Sequence, residues 1–336
     1  MSLLITGGLG FIGSHTIVEL IKHNYKNIII VDNLSNSKST IVNKISKITN
    51  YDNITFFKVD ILDKISLEKI FQFNEIETII HFAALKSVNE SVRTPDKYYE
   101  NNVVGTLNLL DLMNKYNCKN FIFSSSATVY GNQKYPVSED NMTGSGITNP
   151  YGKTKYFIEE IIKDYHTAYP HLNFVILRYF NPVGAHESGL LGEDPNDIPN
   201  NLSPYILKVA VGKLKKLTIF GNDYNTRDGT CIRDFIHVVD LAEAHIYSLN
   251  ALIDERISGL KIYNVGTGNG ISVLEFINTF EKVNNIKINY VFGQKRVGDL
   301  ETVYSKVDKI YEEIGWKCKK SLYDICIDSY KFIKNN

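Results

Sequence analysis

Thr6-Gly7-Gly8-Leu9-Gly10-Phe11-Ile12-Gly13 is the stretch of this sequence that decides its fold. It follows a short apolar run and leads directly into a helix-like pattern, Phe11–Lys22. In a strand–turn–helix unit, the first glycine permits the tight turn, the second lets the backbone approach a pyrophosphate, and the third lets helix and strand pack closely. These glycines are Gly7, Gly10 and Gly13. The stretch therefore predicts a dinucleotide whose phosphates lie over the first amides of the helix.

The first half of the chain alternates apolar runs with helical patterns. The runs are Leu3–Thr6, Asn27–Val31, Ile54–Val59, Thr78–Phe82, Asn120–Ser124 and Asn173–Arg178. Continuously apolar runs are typical of strands buried on both faces. The helical patterns between them are clearest at Tyr98–Tyr116 and Lys153–Tyr169, and this alternation indicates a parallel sheet. We therefore predict an α/β fold with a Rossmann-like, doubly wound sheet that binds its ligands at the carboxyl ends of the strands.

The alternation of strand and helix patterns changes after Asn181. The loops lengthen there, and the candidate strands are short, for example Leu217–Phe220 and Lys261–Val265. We predict a dinucleotide-binding domain over residues 1–181. Residues 182–336 are predicted to form a smaller α/β lobe that binds the substrate, interleaved with segments that return to the first domain.

Composition excludes several classes of protein. The 336 residues include 37 Lys plus Arg and 37 Asp plus Glu, so the formal net charge is zero, which argues against a nucleic-acid binder or a polybasic membrane-surface protein. No apolar run reaches the ~18 residues that a membrane span needs, and the N-terminus lacks the charged start of a signal peptide. The four cysteines have no metal-ligand spacing. We expect a cytoplasmic protein without a metal site.

Asp32 follows the second apolar run, 19 residues beyond Gly13. That spacing suits a carboxylate on the adenosine ribose, where it would repel a 2′-phosphate. No arginine follows it in Asn33-Leu34-Ser35-Asn36, so NAD is favoured over NADP. Asp60, after the third run, is expected either to reach the adenine or merely to cap a strand end.

A second group of residues has the side chains expected of an acid–base catalytic site. Ser124-Ser125-Ser126 ends one strand, and Tyr151 and Lys155 lie four apart on one helix face. A lysine ammonium and the positive nicotinamide ring would both lower the pKa of the tyrosine from its usual value near 10. Such a phenolate is a general base for a sugar hydroxyl, and a serine hydroxyl would hold the substrate oxygen.

Long strings throughout the chain resemble the extended short-chain dehydrogenases/reductases, and most closely the UDP-glucose 4-epimerase family. They are Thr6–His15, Val31–Ser37, His81–Lys86, Ser124–Gly131, Arg178–His186, Ile198–Leu202 and Arg233–Val238. The resemblance implies inversion of C4 of a UDP-hexose through a 4-keto sugar, with tightly bound NAD that each turnover regenerates. It also implies a homodimer, with helices such as Tyr98–Tyr116 as candidate contacts.

The resemblance also implies roles for individual residues. The catalytic ones are Ser126, Tyr151 and Lys155. The NAD contacts are Gly7, Gly10, Phe11, Ile12, Gly13, Asp32, Asn33, Asp60, Ile61, Phe82, Ala83, Lys86, Asn101, Tyr151, Lys155 and Phe180. The UDP-sugar contacts are Lys86, Ser126, Thr128, Tyr151, Asn181, Asn201, Leu202, Phe220, Arg233, Arg296, Asp299 and Val303. Two arginines suit a diphosphate, because guanidinium groups bind its oxygens bidentately. Without the resemblance, Lys86 and both arginines would be taken as surface residues.

Two alternative functions stay open at this point. A nucleotide-sugar 4,6-dehydratase of the same fold would carry Asp-Glu directly after the serine, whereas this chain has Ala127-Thr128. A non-catalytic NAD-sensing protein would not need the Tyr151 and Lys155 pair.

Val303 bears on the substrate range. Alignment with the family places it at the wall of the sugar pocket, where a small side chain leaves room for a 2-acetamido group. The resemblance then implies that UDP-GlcNAc and UDP-GalNAc are also interconverted. A shift of one residue would put Tyr304 there and reverse this expectation, and a valine that simply faces the core is the alternative.

Overall fold

The computed structural model describes residues 2–194, 201–296 and 298–336. The strands in these ranges are β1 (Ser2–Thr6), β2 (Ile28–Val31), β3 (Thr55–Phe57), β4 (Ile76–His81), β5 (Asn120–Ser126), β6 (Asn173–Tyr179), β7 (Asn181–Val183), β8 (Leu217–Phe220), β9 (Ile232–Arg233), β10 (Phe235–His237), β11 (Leu260–Val265), β12 (Ile271–Ser272), β13 (Tyr290–Gly293) and β14 (Thr302–Val303). Seven of them form one parallel sheet in the order β11-β6-β5-β4-β1-β2-β3. The strand order reverses beside β1, as in a doubly wound fold, so the predicted fold class is confirmed.

The central sheet is buried on both faces, which explains its continuously apolar strands. Leu3 and Ile5 of β1 pack into one apolar cluster together with Ile17. Leu4, between them, packs on the opposite face with Leu109. Because successive side chains of a strand point to opposite faces, a strand between two layers of helices has to be apolar at every position.

The α-helices of the described residues are α1 (Phe11–Lys22), α2 (Thr40–Thr49), α3 (Lys64–Phe73), α4 (Val88–Arg93), α5 (Pro95–Tyr98), α6 (Gly105–Lys115), α7 (Pro150–Ala168), α8 (Leu202–Ala210), α9 (Val238–Ile253), α10 (Val273–Asn284), α11 (Asp308–Ile314) and α12 (Leu322–Asn335). None of them is long and apolar enough to cross a membrane. The loop between β7 and α8 includes the string Ile198–Asn200, which lies outside the described residues.

The stretch with the predicted helical pattern, Tyr98–Tyr116, is helical in the structure, but it is not α-helical throughout. A π-helical segment, Tyr99–Val104, separates α5 from α6. Its wider turn directs Asn102 inward, where the buried side chain bonds both backbone groups of Leu85 and the hydroxyl of Thr154. Such π-helical turns are frequent at functional sites, and this one ties the loop after β4 to α7.

The residues after 181 contribute both to the central sheet with its helices and to a group of small sheets. Strand β11 pairs with β6 in the central sheet, and α9 packs against α1. The remaining strands form three small sheets, which are β7 with β10, β8 with β13, and β12-β9-β14. A separate apolar cluster includes residues of β7, β8 and β10, with Phe235, Phe276 and Phe280 as its buried aromatic members. The division into domains at residue 181 stays a prediction.

Four buried histidines make the stability of the fold sensitive to acid. Burial lowers the pKa values of His15 and His81 to about 3, and those of His186 and His245 to about 4. In the unfolded chain each would bind a proton near pH 6.5. Their stabilising contribution is therefore complete above pH 6.5 and is lost as the pH falls toward the folded values.

We therefore expect the free energy of unfolding to fall by about 5 kcal/mol between pH 7 and pH 5.5 through these histidines alone. Urea denaturation at a series of pH values measures this. His186→Gln should reduce the slope by about one proton, whereas substitution of the exposed His171 should leave it unchanged. Equal stability at both pH values would contradict the burial of neutral histidines.

Candidate active site

The glycine turn between β1 and α1 is shaped so that only glycine fits. Gly7 has a φ of 66°, and a Cβ there would lie 2.6 Å from the backbone nitrogen of Ala83. A Cβ on Gly13 would lie 2.5 Å from the carbonyl oxygen of Gly7. Gly10 precedes the first turn of α1, where no side chain caps the helix amides. The turn therefore leaves a cradle of backbone amides in which the phosphates of a dinucleotide fit.

Asp32 holds this turn in place. Its buried carboxylate accepts hydrogen bonds from the amide of Leu9 at 3.0 Å, the amide of Leu34 at 2.9 Å and the hydroxyl of Ser37 at 2.7 Å. The residue predicted to contact the ribose thus also joins the glycine turn to the loop after β2. The spacing of Asp32 and Gly13 predicts the ribose contact but not this second, structural role.

The predicted adenine-side residues lie together after β2 and β3. The Asn33 amide donates to the Asp60 carboxylate at 2.8 Å, and the other oxygen of Asp60 accepts from the Leu62 amide. Asp60 therefore stabilises its own turn while also facing Asn33. The Ile61 side chain is buried in the core, where a Cβ on Gly105 would meet it.

Other predicted cofactor contacts lie in the first turn of α1, directly after β4 and β6, and in the π-helical segment. The Phe11 ring packs edge-on against His15, and the Phe82 ring lies 4.8 Å from the ring of His245. Ile12 packs partly buried against the core below α1. The amide of Asn101 donates to that of Asn102 at 2.9 Å, beside the loop after β4.

Lys86 lies in the loop between β4 and α4. Its side chain is 55% exposed, and its ammonium pairs with the Glu193 carboxylate at 3.0 Å. Sequence reasoning missed Glu193, because only the fold brings a residue from the β7–α8 loop to the end of β4. The Asn201 amide approaches the same carboxylate at 3.5 Å.

The residues predicted to be catalytic lie together where α7 begins beside the end of β5. Asn149 caps α7 by accepting from the amide of Gly152 at 2.9 Å, which fixes Tyr151 in the first turn. Lys155 is buried and donates to the carbonyl of Ser124 at 2.6 Å. The Ser126 hydroxyl bonds Tyr151 and accepts from the Thr128 hydroxyl at 3.0 Å.

The charges at this site differ from those expected from the sequence. Burial raises the pKa of Tyr151, and the Ser126 hydroxyl and the Lys86 ammonium oppose this effect. Burial lowers the pKa of Lys155 to about 7. The predicted lowering of the Tyr151 pKa by Lys155 is therefore not seen in the protein alone. Lys86, from the end of β4, is the lysine whose charge acts on this phenol.

The residues predicted to hold the UDP group form two pairs. The guanidinium of Arg296 stacks on the Phe220 ring at 4.0 Å. Arg233 donates to Asp299 at 2.8 Å, which is a contact that sequence reasoning did not foresee. Two guanidinium groups on neighbouring strands and loops can bind a diphosphate bidentately. The other two predicted contacts in this region are Asn181, in β7, and Leu202, at the start of α8.

The side chains of Val303 and Tyr304 have different neighbours. Val303 pairs in register with Arg233 and packs against a cluster that contains Phe180 and Ala127. The Tyr304 ring instead lies by Gly270. Val303 therefore packs beside Ala127, the residue that follows Ser126 at the end of β5, whereas Tyr304 contacts a different segment.

Comparisons with known proteins extend over the whole chain. Residues 4–328 match the family model described as GDP-mannose 4,6 dehydratase, and the chain is a member of the family that this model describes. A UDP-glucose 4-epimerase of Bacillus subtilis is 50% identical over the whole of this chain and 98% of the relative. The chain belongs to the UDP-glucose 4-epimerase family.

Solved structures of epimerases have the same fold. The UDP-glucose 4-epimerase of Bifidobacterium longum in complex with NAD⁺ and UDP is 46% identical, with a TM-score of 0.94 over 100% of this chain and 99% of that one. The UDP-Glc/GlcNAc 4-epimerase of Campylobacter jejuni is 36% identical, with a TM-score of 0.85 over 100% and 99% of the two chains.

The site itself agrees with the epimerases rather than with the dehydratase in the name of the family model. Elimination of water needs an additional acid and base beside the sugar. The two residues after Ser126 are a buried alanine, Ala127, and Thr128, whose hydroxyl donates to Ser126. Neither residue can do the work of a carboxylate, so dehydration is not favoured.

Proposed function

We propose that this protein is an NAD-dependent isomerase that interconverts UDP-glucose and UDP-galactose by inverting C4 of the hexose. The observation that carries this proposal is the position of Tyr151, Ser126 and Lys155 at the end of β5, next to a glycine turn that fits a dinucleotide. Its epimerase relatives, which include complexes with NAD and UDP, support the same reaction.

NAD, when bound, supplies the acceptor that takes the C4 hydride and returns it to the opposite face of the 4-keto sugar. Tyr151 takes the proton of the 4-hydroxyl when the hydride leaves and gives it back to the same oxygen when the hydride returns, while Ser126 holds that oxygen. Lys86 provides positive charge for the phenolate, and Lys155 lies one helical turn from Tyr151 on the same face of α7. Arg233 and Arg296 hold the diphosphate, which leaves the sugar free to turn about its bonds to that anchor.

The proposal is tested by giving UDP-galactose to the purified protein without added cofactor. We expect UDP-glucose to form, and the protein to carry NAD(H) that is released on denaturation. Absence of both the nucleotide and the turnover would favour a non-catalytic protein instead.

We further propose that the sugar pocket admits a 2-acetamido group, because Val303 is small and faces Phe180. A bulky residue excludes a larger substrate by steric repulsion, without any change in attractive contacts. The wild type should therefore interconvert UDP-GlcNAc and UDP-GalNAc. Val303→Tyr should abolish this activity and spare the glucose and galactose pair.

The matched control is Tyr304→Phe, which should keep both activities because Tyr304 faces away from that cluster. Initial rates for both substrate pairs at saturation provide the measurement. A wild type that is inert toward UDP-GlcNAc would contradict the proposal and leave the hexose reaction intact.

We also propose that the protein is a cytoplasmic homodimer. An open apolar groove between the π-helical segment and α7 offers a surface for a second copy, with Val104 44% and Phe157 42% exposed. The groove is lined by Tyr99, Glu100, Val103, Val104, Phe157, Glu160, Ile161 and Asp164. The four cysteines are free thiols, which suits a reducing compartment.

Phe157→Lys should convert the dimer to a monomer, because it places a charge in the middle of this apolar surface. Phe73→Lys is the matched control, since Phe73 is 84% exposed at the end of α3, outside the groove. Sedimentation velocity measures the mass of each protein. A monomeric wild type, or a dimeric Phe157→Lys, would contradict this assignment of the interface.

A further inference from the structure

Two consecutive acidic residues of the β7–α8 loop pair with lysines from two different loops of the central sheet. The Glu193 carboxylate lies 3.0 Å from the Lys86 ammonium, and the Asp194 carboxylate lies 3.0 Å from the Lys38 ammonium. Lys86 follows β4, whereas Lys38 lies between β2 and α2. No step of the proposed mechanism uses either carboxylate.

The two lysines belong to loops on opposite sides of the glycine turn. Strand β1, which leads into that turn, lies between β4 and β2 in the central sheet. On the β4 side, the backbone of Ala83 lies close against Gly7 of the turn. On the β2 side, the Asp32 carboxylate accepts from the Leu9 amide of the turn and from the Ser37 hydroxyl, and Ser37 directly precedes the second lysine. A segment bound to both lysines therefore bridges the loops on the two sides of the turn.

The chain just before the two acidic residues is anchored by packing. Ala185 and Gly192 form an antiparallel bridge, which closes a hairpin. Leu191 is buried in the same apolar cluster as Ile17 of α1. A Cβ on Gly192 would lie 2.5 Å from the Phe332 ring of α12. The hairpin is thus fixed against two helices, whereas the two acidic side chains beyond it are held by polar contacts.

We propose that residues 185–194 form a strap that passes over the glycine turn and retains the bound dinucleotide, and that Glu193 and Asp194 fasten its tip. The inference rests on the proposed function, in which NAD stays on the protein from one turnover to the next. Breaking the two ion pairs frees the tip and leaves the hairpin in place. The strap therefore opens without any unfolding of the core.

The ion pairs lie where water and salt compete with them. The side chains of Lys38, Asp194 and Lys86 are each more than half exposed. Exposed ion pairs contribute little free energy each, and they weaken as salt screens their charges. Two such pairs fasten the strap and still let it open for the dinucleotide to enter.

A purely electrostatic role of the two carboxylates would have the opposite sign. Negative charges near a pyrophosphate repel it, so their removal would slow the release of the dinucleotide. A strap predicts faster release when the same charges are removed, because its tip is no longer fastened. The direction of the change in release rate therefore separates the two roles.

The experiment measures nucleotide exchange in the double variant Glu193→Gln/Asp194→Asn. The protein as purified is mixed with an excess of NADH, and the fluorescence of bound NADH reports the release of NAD. We expect release about ten-fold faster than in the wild type, since two exposed ion pairs together have an effect of this size. Glu187→Gln is the matched control and should keep the wild-type rate, because the Glu187 carboxylate lies in the hairpin and faces Lys320.

An exchange of charges tests whether the pair itself is required. Asp194→Lys places a second ammonium group beside Lys38 and should speed release. Addition of Lys38→Asp restores a pair of opposite charges and should return the rate to near the wild-type value, which a residue that only maintains the fold would not do. Salt at about 1 M should speed release from the wild type and have a smaller effect on the double variant that lacks both carboxylates.

The outcomes distinguish the strap from the proposed function. Release from the double variant at the wild-type rate or more slowly, with an unchanged melting temperature, would overturn the strap and leave the epimerase proposal standing. A wild type that carries no nucleotide and takes up no NADH would overturn both. If the wild type exchanges nucleotide and has no epimerase activity, the proposed function fails and the exchange rates still decide the strap.

Discussion

Tyr151→Phe should lower kcat for UDP-galactose by about 10²–10⁴-fold, because loss of a general base has an effect of this size. The phenyl ring keeps its place in the first turn of α7 and loses only the hydrogen bond between its hydroxyl and Ser126. We therefore expect unchanged NAD content and an unchanged melting temperature. Initial rates, nucleotide content and thermal denaturation of the same preparation measure the three quantities.

Tyr156→Phe is the control for this substitution, because Tyr156 lies on the same helix, its ring packs with the Phe157 ring, and it is not among the predicted site residues. It should keep wild-type turnover. Near-normal turnover of Tyr151→Phe at neutral pH would contradict the assignment of the base.

Asp32→Arg should abolish retention of NAD. The substitution removes the acceptor for the Leu9 and Leu34 amides, and so releases both the glycine turn and the loop after β2. Each hydrogen bond to a charged group contributes ~1.5–3 kcal/mol, so we expect NAD affinity to fall at least about 100-fold. Fluorescence titration with NADH and analysis of bound nucleotide provide the measurement.

Asp60→Asn is the matched control, since it keeps an oxygen for the Leu62 amide and lies outside the glycine turn. It should retain most of the bound NAD. The introduced arginine should also make NADP more acceptable, because a guanidinium can pair with a 2′-phosphate. Undiminished NAD retention in Asp32→Arg would remove Asp32 from the cofactor site.

The parts of this fold that are local in sequence could be predicted from it. The boundaries of α1 agree with the prediction from the glycine turn, because a strand, a turn and a helix follow one another within about twenty residues. The strands of the central sheet were recognisable because burial on both faces requires apolar side chains throughout. Tyr151 and Lys155 were recognisable because the helical period alone puts them on one face.

The parts that depend on pairing between distant segments could not be predicted. Arg233 and Asp299 are 66 residues apart, and no local pattern shows that they pair. The ion pair of Lys86 with Glu193 depends on where the β7–α8 loop passes. The π-helical turn at Asn102 arises from tertiary bonds to the loop after β4, whereas helical periodicity reports only the average turn.

The most direct test of the central claim is to follow the hydrogen at C4 during the reaction. UDP-galactose is incubated in D₂O with the protein as isolated, without added cofactor, and the product is analysed by NMR spectroscopy. Because the account moves a hydride from carbon and back to the same carbon, it predicts UDP-glucose that keeps protium at C4. Deuterium at C4, or a 6-deoxy-4-keto sugar as the product, would contradict it.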